Sequence, residues 1–277
     1  MATKEWISTD GNWNTAGSWS PSGVPIVGDD VYFVSGSQDV TTGASSSVVL
    51  DSLNFGTKYT GSTVKLTTSA TAVDYANKVG TVILEGVFTT VNVQATASDN
   101  PALKFDDSTV TTLRITGGAG TIYVDENSTL TGEISMVGCK GARLEIQAGA
   151  TVSASDIRID AGKVLTYEHI DTLTQFGGTV TFANGDDGTT PTNTITLYKG
   201  IVKYQPTSSA VLSTLIAYGG YFDMRGCNSP SHTITNATTY SGSMIDERNG
   251  LSNCVYTNPI LSGGVFMPDL GRSITVT

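Results

Sequence analysis

A glycine, often doubled, returns along this chain about every 20 residues and is followed by apolar residues at alternate positions. Its members are Gly61, Gly80, Gly120, Gly141, Gly162, Gly178, Gly200, Gly220, Gly242 and Gly264, with Pro101 in the one slot that lacks glycine; the steps run from 16 to 22 residues. After the glycine, Val82 and Leu84, Leu103 and Phe105, Ile122 and Val124, Val180 and Phe182, Val202 and Tyr204, and Phe222 and Met224 occupy alternate places. A period of two puts both members of a pair on one face of a strand. Two pairs, Val64 with Leu66 and Leu144 with Ile146, come one residue later, as a one-residue bulge would place them. The second half of many repeats carries another such pair, for example Ile157 with Ile159 or Ile195 with Leu197. Turns rich in Gly, Asn, Asp and Ser separate the two halves.

A unit of this length cannot bury its inward side chains alone, but stacked copies make a continuous core and pair their backbones. Composition agrees. Only 14% of the 277 residues are charged, Gly numbers 31, and Ser with Thr make up about a quarter of the chain, so residues that favour strands and turns outweigh good helix formers. The expectation is an all-β chain: a right-handed parallel β-helix over residues 61–277, a single-stranded solenoid of about eleven coils, with an N-terminal capping segment. A sandwich or propeller is the competing all-β architecture. It fits less well, because tight hairpin turns of the Asn-Gly type are confined to Asn184-Gly185 and Asn249-Gly250.

Residues 1–60 do not follow the repeat and hold all three tryptophans, Trp6, Trp13 and Trp19. The segment reads Gly11-Asn12-Trp13-Asn14, then Ser18-Trp19-Ser20, then Gly23-Val24-Pro25, and closes on Asp29-Asp30-Val31-Tyr32-Phe33. This arrangement resembles a motif at the front of repetitive β-solenoid proteins, both autotransporter-like bacterial surface proteins and virion proteins of tailed phages. The resemblance covers about a tenth of the chain and carries no catalytic residue with it. A first coil exposes an apolar cross-section and a strand edge, so it needs a cover, and Trp13, Trp19, Val31 and Phe33 suit that role. The other reading is docking: Trp6, Trp13, Trp19, Tyr32 and Phe33 are the candidate partner-binding residues, since aromatics dominate interface energetics. At the far end, Ser273 to Thr277 alternates without a polar cap, an edge open to another subunit or partner.

Bulk charge removes other classes. With 15 Lys and Arg against 25 Asp and Glu, a net −10, and no basic run, nucleic acid is not expected as a partner. Cys139, Cys227 and Cys254 lack metal-ligand spacing and are read as free thiols. No apolar run approaches the ~20 residues that span a bilayer, so no membrane partner is expected. The opening Met1-Ala2-Thr3-Lys4-Glu5-Trp6 does not read as a secretory signal.

Chemistry is sparse. Paired acids suited to glycan cleavage are Glu168 and Asp171 around His169, the run Asp186-Asp187, and Asp223 with Asp246 and Glu247. Asp223 and Asp246 follow their glycines by three and four places, so adjacent coils bring them together; there they share a proton, bind a cation, or are neutralised by Arg225 and Arg248. Asp186-Asp187-Gly188 lacks the spaced ligands of a calcium loop and reads as a turn. Gly117-Gly118-Ala119-Gly120 precedes a strand and so is no dinucleotide fingerprint. His169 and His232 belong to no nucleophile motif and read as solvated or core residues. No cofactor, metal site or catalytic residue is assigned.

The expected function reconciles a surface-type architecture with a chain that lacks an export signal. A virion protein is made in the host cytoplasm and works outside the cell. The resemblance thus implies a structural protein on the capsid exterior of a tailed phage: a decoration (cement) or head-fibre protein, homotrimeric, binding the major capsid protein. The alternatives are a tail fibre or receptor-binding adhesin that meets host surface glycans, a tailspike-like polysaccharide depolymerase, and a bacterial surface adhesin.

Overall fold

The computed structural model describes residues 2–36, 38–40, 48–76, 80–94, 101–153, 156–183, 192–205, 210–225, 227, 231–248, 253–268 and 274–276. Asn184-Gly185, Asp186-Asp187-Gly188, Asn249-Gly250, Ser273 and Thr277 lie outside these. Among the described residues there is no α-helix, only one 3-10 turn at Ala16–Ser18. The strands form two sheets, one of sixteen strands and one of eleven. From Val49–Tyr59 onward chain order alternates between them, with Thr151–Val152 and Asp156–Ile159 sharing one place in the larger sheet, so each repeat contributes to both sheets and pairs with the repeats before and after. All pairings are parallel except Thr3–Trp6 with Trp19–Ser20.

The protein is therefore a parallel β-solenoid. Of the eleven strands of the smaller sheet, Thr63–Thr67 and Val265–Met267 are edges, which leaves about nine turns enclosed on both sides. The count of about eleven coils taken from the glycines includes these two terminal repeats, whose strands have a neighbour on one side only.

Alternation dictates which side chains enter the core. Each pair named above, from Val82 and Leu84 to Phe222 and Met224, is buried, as are Ile157, Ile159, Ile195 and Leu197 from the larger sheet. Val164, Val180 and Val202 stand at one register position in successive coils, with Thr166, Phe182 and Tyr204 two residues on. Identical slots therefore pile up along the axis: Phe182 and Tyr204 share one, their ring centroids 5.6 Å apart, while Phe222 continues the slot of Val202 and meets Tyr204 across slots at 5.7 Å.

The glycines mark the turn into the smaller sheet. Gly178 and Gly200 have φ of +70° and +97°, a region that costs an L side chain steric strain. A Cβ on Gly200 would also lie 2.6 Å from the carbonyl oxygen of Gly178 in the coil below. The two late pairs need no bulge. Thr63 pairs with Thr81 and Leu144 with Ile122 without slippage; Ala142 stands opposite Gly120, and Gly61 and Gly141, one residue early, lack positive φ. In this sheet the slip falls instead at Pro101–Leu103, where one extra residue intervenes.

Val180 is fully buried at mid-rod. Val180→Asp would place an unpaired carboxylate between Val164 and Val202, at a cost on the order of 4 kcal/mol or more. A thermal melt of the variant is expected to fall roughly 10 °C or more below the parent; an unchanged midpoint would refute the inward assignment.

Candidate functional site

The N-terminal aromatic segment is built into the rod. Thr3–Trp6 pairs in parallel with Asp30–Gly36, which pairs with Val49–Tyr59 and so with the rest of the larger sheet. Trp6, Trp13, Trp19 and Phe33 are all at most 2% exposed. Their rings interlock: Trp13 meets Trp19 edge-on at 4.5 Å, Trp6 meets Trp19 at 4.9 Å, and Phe33 stacks on Phe55 at 4.9 Å. Two of the indole N–H groups are used internally, Trp19 Nε1 donating to the Trp13 carbonyl at 2.8 Å and Trp6 Nε1 to that of Gln38 at 3.3 Å. Four of the five residues expected to dock a partner are thus sealed from any partner in this conformation, and only Tyr32 is partly accessible. The geometry is that of a cover over the first coil.

The turn before Trp13 is held by Asp10, whose Oδ1 accepts from the backbone N–H of Asn12 at 3.0 Å and from the hydroxyls of Ser8 and Ser18 at 2.8 and 3.2 Å. These donors, the Asn12 amide foremost, hold its carboxyl below the usual range.

Among the acids, the stacking of Asp223 on Asp246 is as the repeat implies: the two residues are register partners on adjacent strands of the smaller sheet. Both are buried. Each is clamped by the arginine two residues on. Arg225 donates Nε and Nη2 to Asp223 at 2.9 and 3.0 Å, and its backbone N–H adds a third bond at 3.0 Å. Arg248 repeats the pattern on Asp246 at 2.9, 2.8 and 3.1 Å. Arg225 Nε also lies 3.5 Å from Asp246 Oδ2, and Tyr221 Oη donates to that oxygen at 2.5 Å. Asp246 consequently sits well below its ordinary value, chiefly through Arg248 and against the effect of burial. Tyr221 is pushed up to about 12 by burial and by its bond to Asp246. Two like charges enforced by the ladder are thus compensated by two guanidinium forks.

The other acids do not converge. Glu168 accepts the amide of Gly149 at 2.5 Å, while His169 Nε2 and Asn193 Nδ2 both lie 2.8 Å from Asp171 Oδ1. His232 is a core residue, paired with Cys227. Glu247 turns inward to Tyr256, beside Cys254. Burial first, then Glu247, pushes the Cys254 thiol up, which keeps it protonated and unreactive. All three cysteines are buried and outside any disulfide, and among the described residues no group of three or more His, Cys, Asp or Glu has the geometry to hold a metal ion.

Sequence reasoning missed an exposed feature. Phe176, Tyr198, Tyr218 and Tyr240 project from one corner of four successive coils, each 38 to 43% exposed. Their rings stack at 4.6, 4.9 and 4.8 Å with interplanar angles of 3°, 11° and 7°. Each lies two residues before a turn glycine, Gly178, Gly200, Gly220 and Gly242. The signal was present, on the side of the glycine opposite to the inward pairs.

Comparison with known proteins finds no matching family model, no matching curated protein and no matching solved structure.

Two outcomes check these assignments. Trp19→Ala removes the ring at the centre of the cover and is expected to cost roughly 3–5 kcal/mol, seen as a lower denaturation midpoint; a variant as stable as the parent would show the segment to be dispensable. Asp246 has a folded pKa below its unfolded value of about 3.9, so it stabilises the fold above that pH and loses this effect as pH falls below it. The margin in melting temperature between the parent and Asp246→Asn should be full at pH 5 to 7 and narrow below about pH 4. A margin independent of pH would mean that the clamp contributes nothing through its charge.

Proposed function

We propose that this chain is a structural protein of a tailed-phage virion, a capsid decoration or head-fibre protein that binds the major capsid protein as a homotrimer and works without catalysis. The observation that carries the non-enzymatic reading is the double clamp on Asp223 and Asp246. A glycosidase needs one carboxyl held protonated as general acid and a second one free to act as base or nucleophile. Here the best-placed acids are each engaged by a bidentate arginine, and Asp246 is driven away from protonation. What remains is a rod with a continuous core and a sealed first coil, a form suited to standing on a particle.

The placement in a virion rests on the resemblance of the segment from Gly11 to Phe33 to the front of virion β-solenoids. Because the indoles of that segment are buried, contact with the capsid falls to the flanks of the rod or to its far end, where Val265–Met267 and Ile274–Val276 are the outermost described strands of the two sheets.

Cryo-electron microscopy of the particle that incorporates the chain tests the proposal, with copy number read from the map. Hundreds of copies on the capsid lattice, at threefold positions, are the expected result. A few copies at the tail would overturn the capsid placement in favour of a fibre, and absence from any particle would overturn the virion reading altogether. Glycan cleavage by the purified protein, lost in an Asp223→Asn, Asp246→Asn double variant that still folds, would reinstate the depolymerase.

A further inference from the structure

The exposed aromatic corner borders an open cleft of ≈ 420 Å³. Phe176 forms one wall, and Gly162, Gly177 and Gly178 line it. Three lysines stand around it, Lys140, Lys163 and Lys199. All three are exposed, and among the described residues none has a carboxylate within 4 Å. Asp160 also lines the cleft, but both of its oxygens are taken at 3.0 Å by the guanidinium of Arg158, which lies 4.8 Å over the Phe176 ring. The cleft is therefore a positive spot on a chain of net charge −10. It is also fixed in shape: the fully buried Gln175 donates its Nε2 to the carbonyls of Gly177, Gly178 and Ile201 at 3.0, 3.1 and 3.1 Å, holding the turns in place.

We propose that this cleft and the aromatic ridge leading from it bind an anionic polysaccharide. The lysines take the carboxylate or sulfate groups, and the ring edges and tyrosine hydroxyls along the ridge take the hydroxyl and C–H groups of the sugars. Three observations select this ligand over others. The uncompensated ammonium groups call for negative charge. Both faces of Phe176, Tyr198 and Tyr218 are covered, by the neighbouring rings and at Phe176 by Arg158, so a run of nucleobases is denied the flat stacking it needs, while ring edges and the hydroxyls of Tyr198, Tyr218 and Tyr240 stay open. Those hydroxyls make no hydrogen bond within the described protein and repeat at the spacing of the coils, a row of donors and acceptors suited to a chain that itself repeats. The site rests on the rod alone and not on where the rod is mounted.

The test is binding of the whole protein to a panel of size-defined oligosaccharides by isothermal titration calorimetry. The panel comprises oligogalacturonate, hyaluronan, oligosialic acid and sulfated dextran, with neutral dextran and a single-stranded DNA oligonucleotide as controls. At least one anionic glycan is expected to bind, more weakly as salt rises, with dextran and DNA silent. Lys163→Ala with Lys199→Ala, and separately Phe176→Ala, should each weaken that binding by about tenfold or more. All three residues are exposed, so the melting temperature should hold. No binding anywhere in the panel would overturn the proposal, as would equal binding of DNA or an unaltered affinity in the Phe176 variant. Sedimentation velocity supplies a further check: a parent oligomer that dissociates on Tyr218→Ser would show the ridge to be covered by a second copy, and the glycan site would fall with it.

Discussion

The parallel backbone ladder between successive coils is the constraint on which everything else in this rod depends. Parallel pairing holds residues of one coil in line with those of the next at ~4.8 Å, so a side chain cannot choose its neighbours independently. Whatever occupies a slot is stacked on the same slot below and above. The core follows directly, because Val164, Val180 and Val202 share a slot and fill it alike. The turn follows too, since a Cβ on Gly200 would strike the carbonyl of Gly178 and a Cβ on Gly178 that of Gly162. The acids show the same rule applied to an unfavourable case. Asp223 and Asp246 are placed in register whether or not their charges agree, and the structure answers with an arginine two residues after each.

A ladder also has ends, and here the start is closed by hydrophobic burial together with hydrogen bonding. Thr3–Trp6 continues the larger sheet outward, and the short antiparallel strand Trp19–Ser20 stands at its edge. An antiparallel partner at that point stops the parallel repeat from being extended by another coil of the same kind, a device against edge-to-edge growth. The indoles fill the apolar cross-section beneath, while the N–H groups of Trp6 and Trp19 reach main-chain carbonyls. Lys4, nearly buried, likewise reaches the carbonyls of Pro21 and Ser22 at 3.1 and 3.3 Å.

Much of this fold is legible in the sequence because a solenoid writes its geometry as a period. Glycine spacing and alternation give the strands, their inward faces and the juxtaposition of Asp223 with Asp246. The limits are equally physical. Gly61 and Gly141 look like members of the glycine slot, yet they stand one residue before it, since composition does not show which glycine has the left-handed backbone. Coil number is overstated because a repeat in sequence becomes an enclosed turn only with neighbours on both sides. The tryptophans carry two readings, cover and docking, that have the same residue types; burial separates them, and burial is a property of the assembled coil. Phe176, Tyr198, Tyr218 and Tyr240 were readable in principle from their offset to the glycines, but an aromatic in a β-rich chain is presumed inward until its phase is compared with that of the core pairs.

That phase distinction also sorts the charges by what they can do. At Asp223 and Asp246 the ladder stacks two anions, and each finds its counter-ion two residues away in its own coil, so the set is complete and has nothing left to offer a ligand. At the aromatic corner, Asp160 is likewise complete, having Arg158. Lys140, Lys163 and Lys199 come from three different coils and converge on one cleft without a carboxylate of the described chain to answer them. In a protein of net −10 acids were available in number, and the repeat had the means to stack one there, as it did elsewhere. Positive charge that the described chain leaves uncompensated, beside rings that it leaves unburied, is the pairing on which the proposed glycan site rests.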